Sequence, residues 1–144
     1  MQIVRSVVID RHVEDVFAFV ADPHNDVRWC EKVLVVEQVE GDKPGPGSRY
    51  EVVHRPIALR PPRRMTYECL EWEPPARIRW REHDSDDVID VAYELEPVWT
   101  STRFTQRDDA RLGAPRVLHP LLRAGIEHDV GRQLRALKRL LERG

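Results

Sequence analysis

The chain has 144 residues, of which 41% are hydrophobic and 33% charged, and its formal net charge is −2. This length and composition favour one ordinary globular domain with a single core, spanning residues 1–144. The near-zero charge argues against a nucleic-acid binder that depends on bulk positive charge. No apolar run approaches the roughly 20 residues that a membrane-spanning helix needs.

Several classes of site and location are also disfavoured. The first ten residues lack a signal-peptide pattern, so we expect a cytoplasmic protein. Cys30 and Cys69 match no zinc or redox spacing, and we expect two reduced thiols that behave as small hydrophobes. No histidine pair has metal-binding spacing, and no nucleotide-binding glycine motif occurs. The sequence therefore predicts no metal site and no cofactor, and it leaves open whether the protein is a monomer or a homodimer.

The first thirty residues predict one strand followed by two short helices. Residues 2–9 are rich in Val and Ile, which favour a strand. Asp10 is the expected N-cap of the first helix, and Asp22 the expected N-cap of a second helix that begins at Pro23. Helical spacing places four apolar residues on one face of the first helix: Val13, Val16, Phe17 and Val20.

From residue 32 the apolar pattern changes to a period of two, which is typical of strands. We predict six strands, over residues 33–39, 49–55, 65–72, 77–83, 88–95 and 100–107. The last two form a hairpin across residues 97–99. Residues 56–62 are too rich in proline for a strand and are expected to form a loop.

The last thirty residues predict a long amphipathic helix that organises the fold. Its length, about 27 residues, corresponds to roughly 40 Å. A sheet with one polar face must cover its other face, and only this helix is long enough to do so. The apolar positions recur mostly every four residues: Leu118, Leu122, Ile126, Val130, Leu134, Leu137 and Leu141.

Three short segments carry a resemblance to a known family. They are residues 16–23 followed by Trp29, residues 71–75 ending in a proline pair, and residues 102–105 leading to a helix that closes with Leu137-Lys138 and Glu142. In these segments and in element order, the chain resembles the START-like, Bet v 1-like (SRPBCC) superfamily, and more closely its bacterial polyketide cyclase/dehydrase branch.

This resemblance implies an α+β helix-grip fold. A seven-stranded curved antiparallel sheet would surround the long C-terminal helix, with two short helices after the first strand and an apolar cavity between sheet and helix. Members of the superfamily bind lipids, sterols, polyketides or plant hormones. A minority catalyse cyclisation, aromatisation or dehydration.

Strand alternation predicts which side chains line such a cavity. They are mainly aromatic and aliphatic with a few polar groups, which is typical of a small-molecule pocket. The sheet contributes Tyr50, Val52, His54, Met65, Tyr67, Cys69, Ile78, Trp80, Glu82, Val91, Tyr93, Thr102 and Phe104. The helix contributes Leu118, Leu122, Gly125 and Ile126, where Gly125 either leaves space or permits close packing.

His54 is the predicted catalytic acid or base, because an unperturbed imidazole titrates near neutral pH. Tyr93 is the second predicted catalytic residue, and Tyr67 and Glu82 are placed to form hydrogen bonds across the cavity. Alternatively, His54 is half-exposed at a strand end, the tyrosines are core aromatics, and Glu82 is solvated beside a turn. A basic cluster of Arg60, Arg63 and Arg64 either guides an anionic ligand or is a solvated loop.

Three hypotheses for function follow. The first is a binding module for a hydrophobic or aromatic small molecule, polyketide-like or lipid-like, held between sheet and helix. The second is an enzyme of the cyclase/dehydrase kind, in which His54 and Tyr93 move protons on a polyketide-like carbonyl. The third is a protein-interaction module that uses the basic loop or a sheet edge and retains a vestigial cavity.

Overall fold

The computed structural model describes residues 1–55 and 61–143. The chain begins with strand β1 (Gln2–Ile9), helix α1 (Val13–Val20) and the short helix α2 (Asp26–Trp29). Six further strands follow: β2 (Val33–Glu40), β3 (Arg49–His54), β4 (Arg63–Glu73), β5 (Arg77–His83), β6 (Val88–Val98) and β7 (Ser101–Arg111). Helix α3 (His119–Arg143) closes the chain after a 3-10 turn, Arg116–Leu118.

The seven strands form one antiparallel sheet in the order β1-β7-β6-β5-β4-β3-β2. Each neighbouring pair is antiparallel, and only β1 and β7 are brought together from opposite ends of the strand series. The helix-grip fold expected from the sequence is therefore confirmed. The register shifts at three places, two in β2 (between Val33 and Val35 and between Gln38 and Glu40) and one between Cys69 and Glu71.

The two faces of the sheet differ in chemistry because period-two alternation separates them. The outer face carries an ion-pair network in which Arg77 contacts Glu71 at 2.8 Å and Glu94 at 2.7 Å. The inner face is buried against the helices and carries the large apolar side chains of the core: Tyr50, Val52, Met65, Tyr67, Ile78, Trp80, Val91, Tyr93 and Phe104.

Helix α3 covers the sheet with its C-terminal half only. Each step of four residues turns by about 40° beyond a full helical turn, so a row spaced by four rotates away from the sheet. Its buried residues are Val130, Gln133, Leu134, Leu137 and Leu141. Near its start, Leu118 is 44% exposed and Leu121 is 73% exposed.

Of the two predicted N-caps, Asp22 and Asp10, only Asp22 caps a helical segment. Asp22 caps the 3-10 turn Pro23–Asn25, since its Oδ1 accepts a hydrogen bond from the backbone N–H of His24 at 3.0 Å. The prediction for Asp10 is wrong, because helix α1 begins later and its N-cap is His12. Asp10 instead joins the chain ends, and its N–H donates to Glu142 Oε2 at 2.9 Å.

The hairpin between β6 and β7 is tighter than predicted, because Pro97 and Val98 lie within β6 and pair with β7. Leu95 N–H donates to Ala76 O, just before the first residue of β5. Pro97 lies on the same edge of β6, two residues further along and beyond the end of β5. Its missing N–H therefore removes no hydrogen bond between the two strands. The turn itself places Trp99 at φ 57°.

Most of the predicted loop at residues 56–62 lies outside the described residues, and so does Arg60. The two cysteines are free thiols, with Cys30 buried and Cys69 half-buried.

The buried half of α3 should dominate the stability contributed by this helix. We expect Leu137→Ala to lower the free energy of unfolding by about 2–5 kcal/mol, because it leaves a cavity at a fully buried position. The matched variant Leu121→Ala should change it by less than about 0.5 kcal/mol. Urea denaturation measures both. Equal losses for the two variants would contradict half-coverage of the sheet by α3.

Candidate functional site

A cavity of about 50 Å³ lies between the inner face of the sheet and helix α3. Strands β4 to β7 form its floor, and the segment from α2 to β2 forms one side. Its lining contains three carboxyl groups, one lysine and two tyrosines: Asp26, Glu82, Asp108, Lys32, Tyr67 and Tyr93. The remaining lining residues are Cys30, Val33, Ile89, Val91, Gln106, Ala110, Ile126 and Gln133.

The cavity is small, and its lining carries more charged groups than the sequence predicted. A volume of about 50 Å³ holds a few water molecules, whereas pockets for drug-sized ligands measure roughly 300–1,000 Å³. Aromatic side chains fill the space beside it, because Trp29 of α2 packs against Phe104 and Tyr93 with ring centroids 6.3 Å and 6.0 Å apart. The lining is therefore mixed, because aliphatic and aromatic side chains stand beside carboxyl, amide and ammonium groups.

The predicted site residues separate into three groups. Those that line the cavity are Tyr67, Glu82, Val91, Tyr93 and Ile126. Those buried in the sheet's inner layer without lining it are Tyr50, Val52, His54, Met65, Ile78, Trp80, Thr102 and Phe104, and Cys69 is half-buried. Helix residues Leu118 and Gly125 are exposed and Leu122 is half-buried, and all three lie outside the lining. A Cβ added at Gly125 meets nothing within 4 Å, so this glycine is not required for close packing.

Three buried carboxyl groups converge on the cavity from three different elements. Asp26 belongs to α2, Glu82 to β5 and Asp108 to β7, and they are 6%, 7% and 6% exposed. Burial raises the pKa of Glu82 to about 7, the charge of Lys32 opposes this rise, and that of Asp108 adds to it. Burial also raises the pKa values of Asp26 and Asp108. Removal from water thus makes these acids hold their protons to higher pH.

Lys32 supplies the positive charge in the cavity lining. Burial works to lower the pKa of its ammonium group, but the carboxyls of Glu82 and Asp108 outweigh this effect and the pKa is raised. Within the described part of the chain, no carboxylate oxygen lies within the 4.0 Å that defines an ion pair with Lys32. Lys32 and the three acids therefore line the same cavity without forming a close ion pair.

Two oxygen atoms of the lining are buried without a hydrogen-bond partner among the described residues. They are Asp26 Oδ1 and Gln106 Oε1. The amide of Gln106 is oriented by its other end, since Nε2 donates to Asp108 Oδ1 at 3.1 Å. Because a buried polar atom without a partner costs about 1–3 kcal/mol, these oxygens mark places where a bound group can be stabilised.

His54 is placed differently from the sequence expectation. It is 6% exposed, and its Nε2 lies 2.7 Å from the hydroxyl of Tyr67, with which it shares a hydrogen bond. Burial, together with the charges of Lys32 and Arg63, lowers the pKa of His54 to about 3. The imidazole is therefore neutral near pH 7, and the expectation that it titrates there is wrong. Its effect on the cavity passes through Tyr67.

The tyrosines are firmly protonated. Burial raises the pKa values of Tyr67 and Tyr93 well above the ordinary value for a phenol, and the carboxyls of Glu82 and Asp26 add to the effect. Both side chains line the cavity as hydroxyl groups. They can donate hydrogen bonds to a ligand but do not act as bases near neutral pH.

The basic cluster is largely neutralised where the structure describes it. Arg63 contacts Asp84 at 2.5 Å and Asp87 at 2.9 Å, and Arg64 contacts Glu51 at 3.5 Å. These pairs account for the charges of both arginines. The cluster therefore offers no surplus positive charge at residues 63 and 64.

The sequence reasoning missed several cavity residues. Gln106 and Asp108 continue the alternation of Thr102 and Phe104 along β7. Gln106 lies within the predicted strand and the same alternation would have placed it on the inner face, whereas Asp108 lies one residue beyond the predicted end at residue 107. Asp26 and Lys32 lie in short irregular segments where no periodicity assigns a face.

Two kinds of feature are missing from the part of the chain that the structure describes. They contain no group of three or more His, Cys, Asp or Glu side chains that could hold a metal ion. Among those same residues, no helix has the length and apolar character needed to cross a membrane.

A helix-grip fold around an interior cavity defines the small-molecule-binding class of the START-like, Bet v 1-like proteins. A family model described as polyketide cyclase / dehydrase and lipid transport matches residues 1–142. The chain therefore belongs to this family, and the resemblance noted from the sequence is confirmed. No protein with a curated description matches the sequence.

Solved structures share the fold at low sequence identity. TTHA0849 from Thermus thermophilus is 19% identical with a TM-score of 0.80, over 96% of this chain and 95% of that chain. The di-domain ARO/CYC BexL from the BE-7585A biosynthetic pathway is 20% identical with a TM-score of 0.73, over 96% of this chain and 45% of that chain. Ara h 8.0201 is 9% identical with a TM-score of 0.71, over 100% of this chain and 99% of that chain.

The raised pKa of Glu82 predicts how stability depends on pH. The folded protein holds this proton up to about pH 7, whereas the unfolded chain releases it near pH 4.5, so the free energy of unfolding falls as pH rises between these values. We expect Glu82→Gln to remove up to about 3 kcal/mol of this fall, with Asp26 and Asp108 accounting for the remainder.

Urea denaturation at pH 5 and pH 8.5 measures this effect. Glu82→Gln should be more stable than the parent protein at pH 8.5, and the difference should shrink at pH 5. The exposed residue Glu96 of β6 provides a control, because Glu96→Gln removes a carboxylate outside the cavity. The same pH dependence in the parent protein and in Glu82→Gln would show that Glu82 is not the titrating group.

Proposed function

We propose that the chain binds a hydrophobic or aromatic small molecule, polyketide-like or lipid-like, whose polar end enters the cavity beneath helix α3. The observation that carries this proposal is the set of buried polar groups around an interior space. Asp26 Oδ1 and Gln106 Oε1 are buried without a hydrogen-bond partner among the described residues, and such burial costs free energy. A bound molecule that contacts these groups offsets that cost.

The size of the cavity limits how much of the ligand it can hold. About 50 Å³ accommodates one polar group and a neighbouring carbon or two, so the apolar body must lie outside. Ile126 lines the cavity, and Leu122 and Leu118 continue the same row towards the exposed start of α3. This row provides an apolar surface that leads from the cavity to the protein exterior.

The family supports this function in general terms, since its description joins polyketide cyclases and dehydrases with lipid transport. BexL, which shares the fold, is named as a di-domain ARO/CYC protein from the BE-7585A biosynthetic pathway. Both point to organic ligands with an extended apolar or aromatic body. The polar cavity adds that such a ligand carries at least one hydrogen-bonding group at one end.

A cavity-filling pair of variants tests the proposal with 2-naphthol, a probe that joins an aromatic body to one polar group. We expect 2-naphthol to raise the melting temperature of the parent protein. Ala110→Val should abolish this rise, because Ala110 is 3% exposed and lines the cavity, so two added methyl groups occupy the space. The exposed position Ala124 gives the same chemical change outside the cavity, and Ala124→Val should retain the rise.

Two results would contradict the proposal. If 2-naphthol leaves the melting temperature unchanged and native mass spectrometry finds no co-purifying molecule, the cavity does not serve a ligand. If Ala110→Val responds as the parent protein does, the ligand binds elsewhere on the molecule.

A second candidate function is acid–base catalysis of the cyclase/dehydrase kind, and the pKa of Glu82 near 7 favours it. A base titrating near the working pH is effective in both directions of proton transfer. In a dehydration, Glu82 would take the proton from the carbon beside a ligand carbonyl, and that proton would leave with the departing hydroxyl as water. Tyr93 would donate a hydrogen bond to the carbonyl oxygen, while His54 would orient Tyr67.

This reassigns the predicted base from His54 to Glu82. With 4-hydroxy-4-phenylbutan-2-one as substrate, we expect formation of the conjugated enone, followed by absorbance, with a rate that rises through pH 7. Glu82→Gln should lower the rate at least a hundredfold, and Glu96→Gln should retain it. A rate that matches the buffer alone at every pH would exclude dehydration of this substrate class and leave binding as the function.

A further inference from the structure

We propose that the polar end of the ligand is a cationic nitrogen, such as a protonated amine or amidine, held by the carboxyl groups of Asp26, Glu82 and Asp108. This inference rests on the proposed function, because it names the chemistry of the group that enters the same cavity. It goes beyond that function by selecting among ligands that differ only in this group.

The first support is the kind of atom left without a partner. Asp26 Oδ1 and Gln106 Oε1 are acceptor oxygens on residues 6% and 5% exposed, and both residues line the cavity. An ammonium group carries three N–H donors and no acceptor. It can therefore donate a hydrogen bond to either oxygen, whereas a ligand carbonyl can donate to neither.

The second support is the balance of charge. Three carboxyl groups face the cavity, and Lys32 is the one cation in the described lining. Two carboxyls thus lack a positive counterpart. Burial raises the pKa of each of the three acids, and a neighbouring carboxyl adds to the rise for Asp26 and Glu82. A bound cation would replace those protons and restore the ionised acids, which strengthens the hydrogen bonds to it.

The third support is position. Asp26 and Lys32 belong to the side of the cavity formed from α2 to β2, and Gln106 belongs to β7, where its hydrogen bond to Asp108 fixes it. Among the described residues, Lys32 makes no ion pair of 4.0 Å or less with the three acids. Lys32 therefore does not neutralise them by direct contact.

Lys32 also raises the opposing possibility of an anionic ligand. A carboxylate placed beside Lys32 would face Glu82 and Asp108, whose charges act on the same lysine. The ionised carboxylates of Glu82 and Asp108 would repel an anionic ligand. The charge of Lys32 is already partly balanced by these two acids, so it attracts an anion only weakly. The geometry thus favours a cation, and replacing Lys32 distinguishes the two cases.

Three probes with one ring and different polar groups test the inference: benzylamine, benzyl alcohol and benzoate. In calorimetric titrations at pH 7.5, we expect benzylamine to bind at least tenfold more tightly than benzyl alcohol, and benzoate to bind more weakly than either. Lys32→Met should strengthen benzylamine binding severalfold, because it removes a like charge from the cavity.

Adjacent residues of β7 provide a matched pair of variants. Asp108 is buried in the cavity, whereas Asp109 lies on the outer face with its side chain 60% exposed. Asp108→Asn should weaken benzylamine binding tenfold or more and leave benzyl alcohol within twofold. Asp109→Asn should change neither. Circular dichroism and melting temperatures verify that each variant is folded.

The outcomes separate this inference from the function on which it rests. Equal binding of benzylamine and benzyl alcohol, insensitive to Asp108→Asn, overturns the cationic group and retains a ligand cavity. Tight binding of benzoate that is lost in Lys32→Met shows an anion site and also overturns it. If none of the three probes nor 2-naphthol binds, the inference and the proposed function fail together.

Discussion

The contact between helix α3 and the sheet is the constraint on which the rest of the structure depends. Only the second half of the helix, from Val130 onward, presents fully buried apolar side chains to the sheet. The first half is turned away because its row of apolar residues rotates about 40° with each step of four residues. This geometry closes the core at one end and leaves a cavity lined by Ile126 towards the other.

The polar groups buried around this cavity cost the folded state free energy. Asp26, Glu82 and Asp108 are buried next to an aromatic cluster of Trp29, Tyr93 and Phe104, in which Trp29 Nε1 also lacks a hydrogen-bond partner among the described residues. Buried acids without close ion pairs are usually neutral, and they destabilise the folded state once they ionise. Their position around one space, contributed by three elements distant in sequence, is typical of a ligand site.

The same arrangement explains why binding and catalysis are both tenable. A carboxyl group with a pKa near 7 is an adequate hydrogen-bond donor, acceptor and proton carrier within the same cavity. The hydrogen bond between His54 and Tyr67 orients Tyr67 at the cavity, but it adds no group that titrates near neutral pH. Members of one family can therefore differ in activity through small changes around a shared cavity.

The sequence by itself determined the element order, the seven strands, the terminal helix and the inner face of most strands. Each of these depends on local periodicity, which a single chain displays directly, as the correctly bounded strand β5 and the inward residues Tyr67, Glu82 and Tyr93 show. Only the tertiary structure decided the size of the cavity, the burial of Glu82 and the neutral state of His54. It also brought Asp26, Lys32, Gln106 and Asp108 together. These properties depend on how much of α3 faces the sheet and on which distant residues exclude water, and neither is encoded in the period of any one segment.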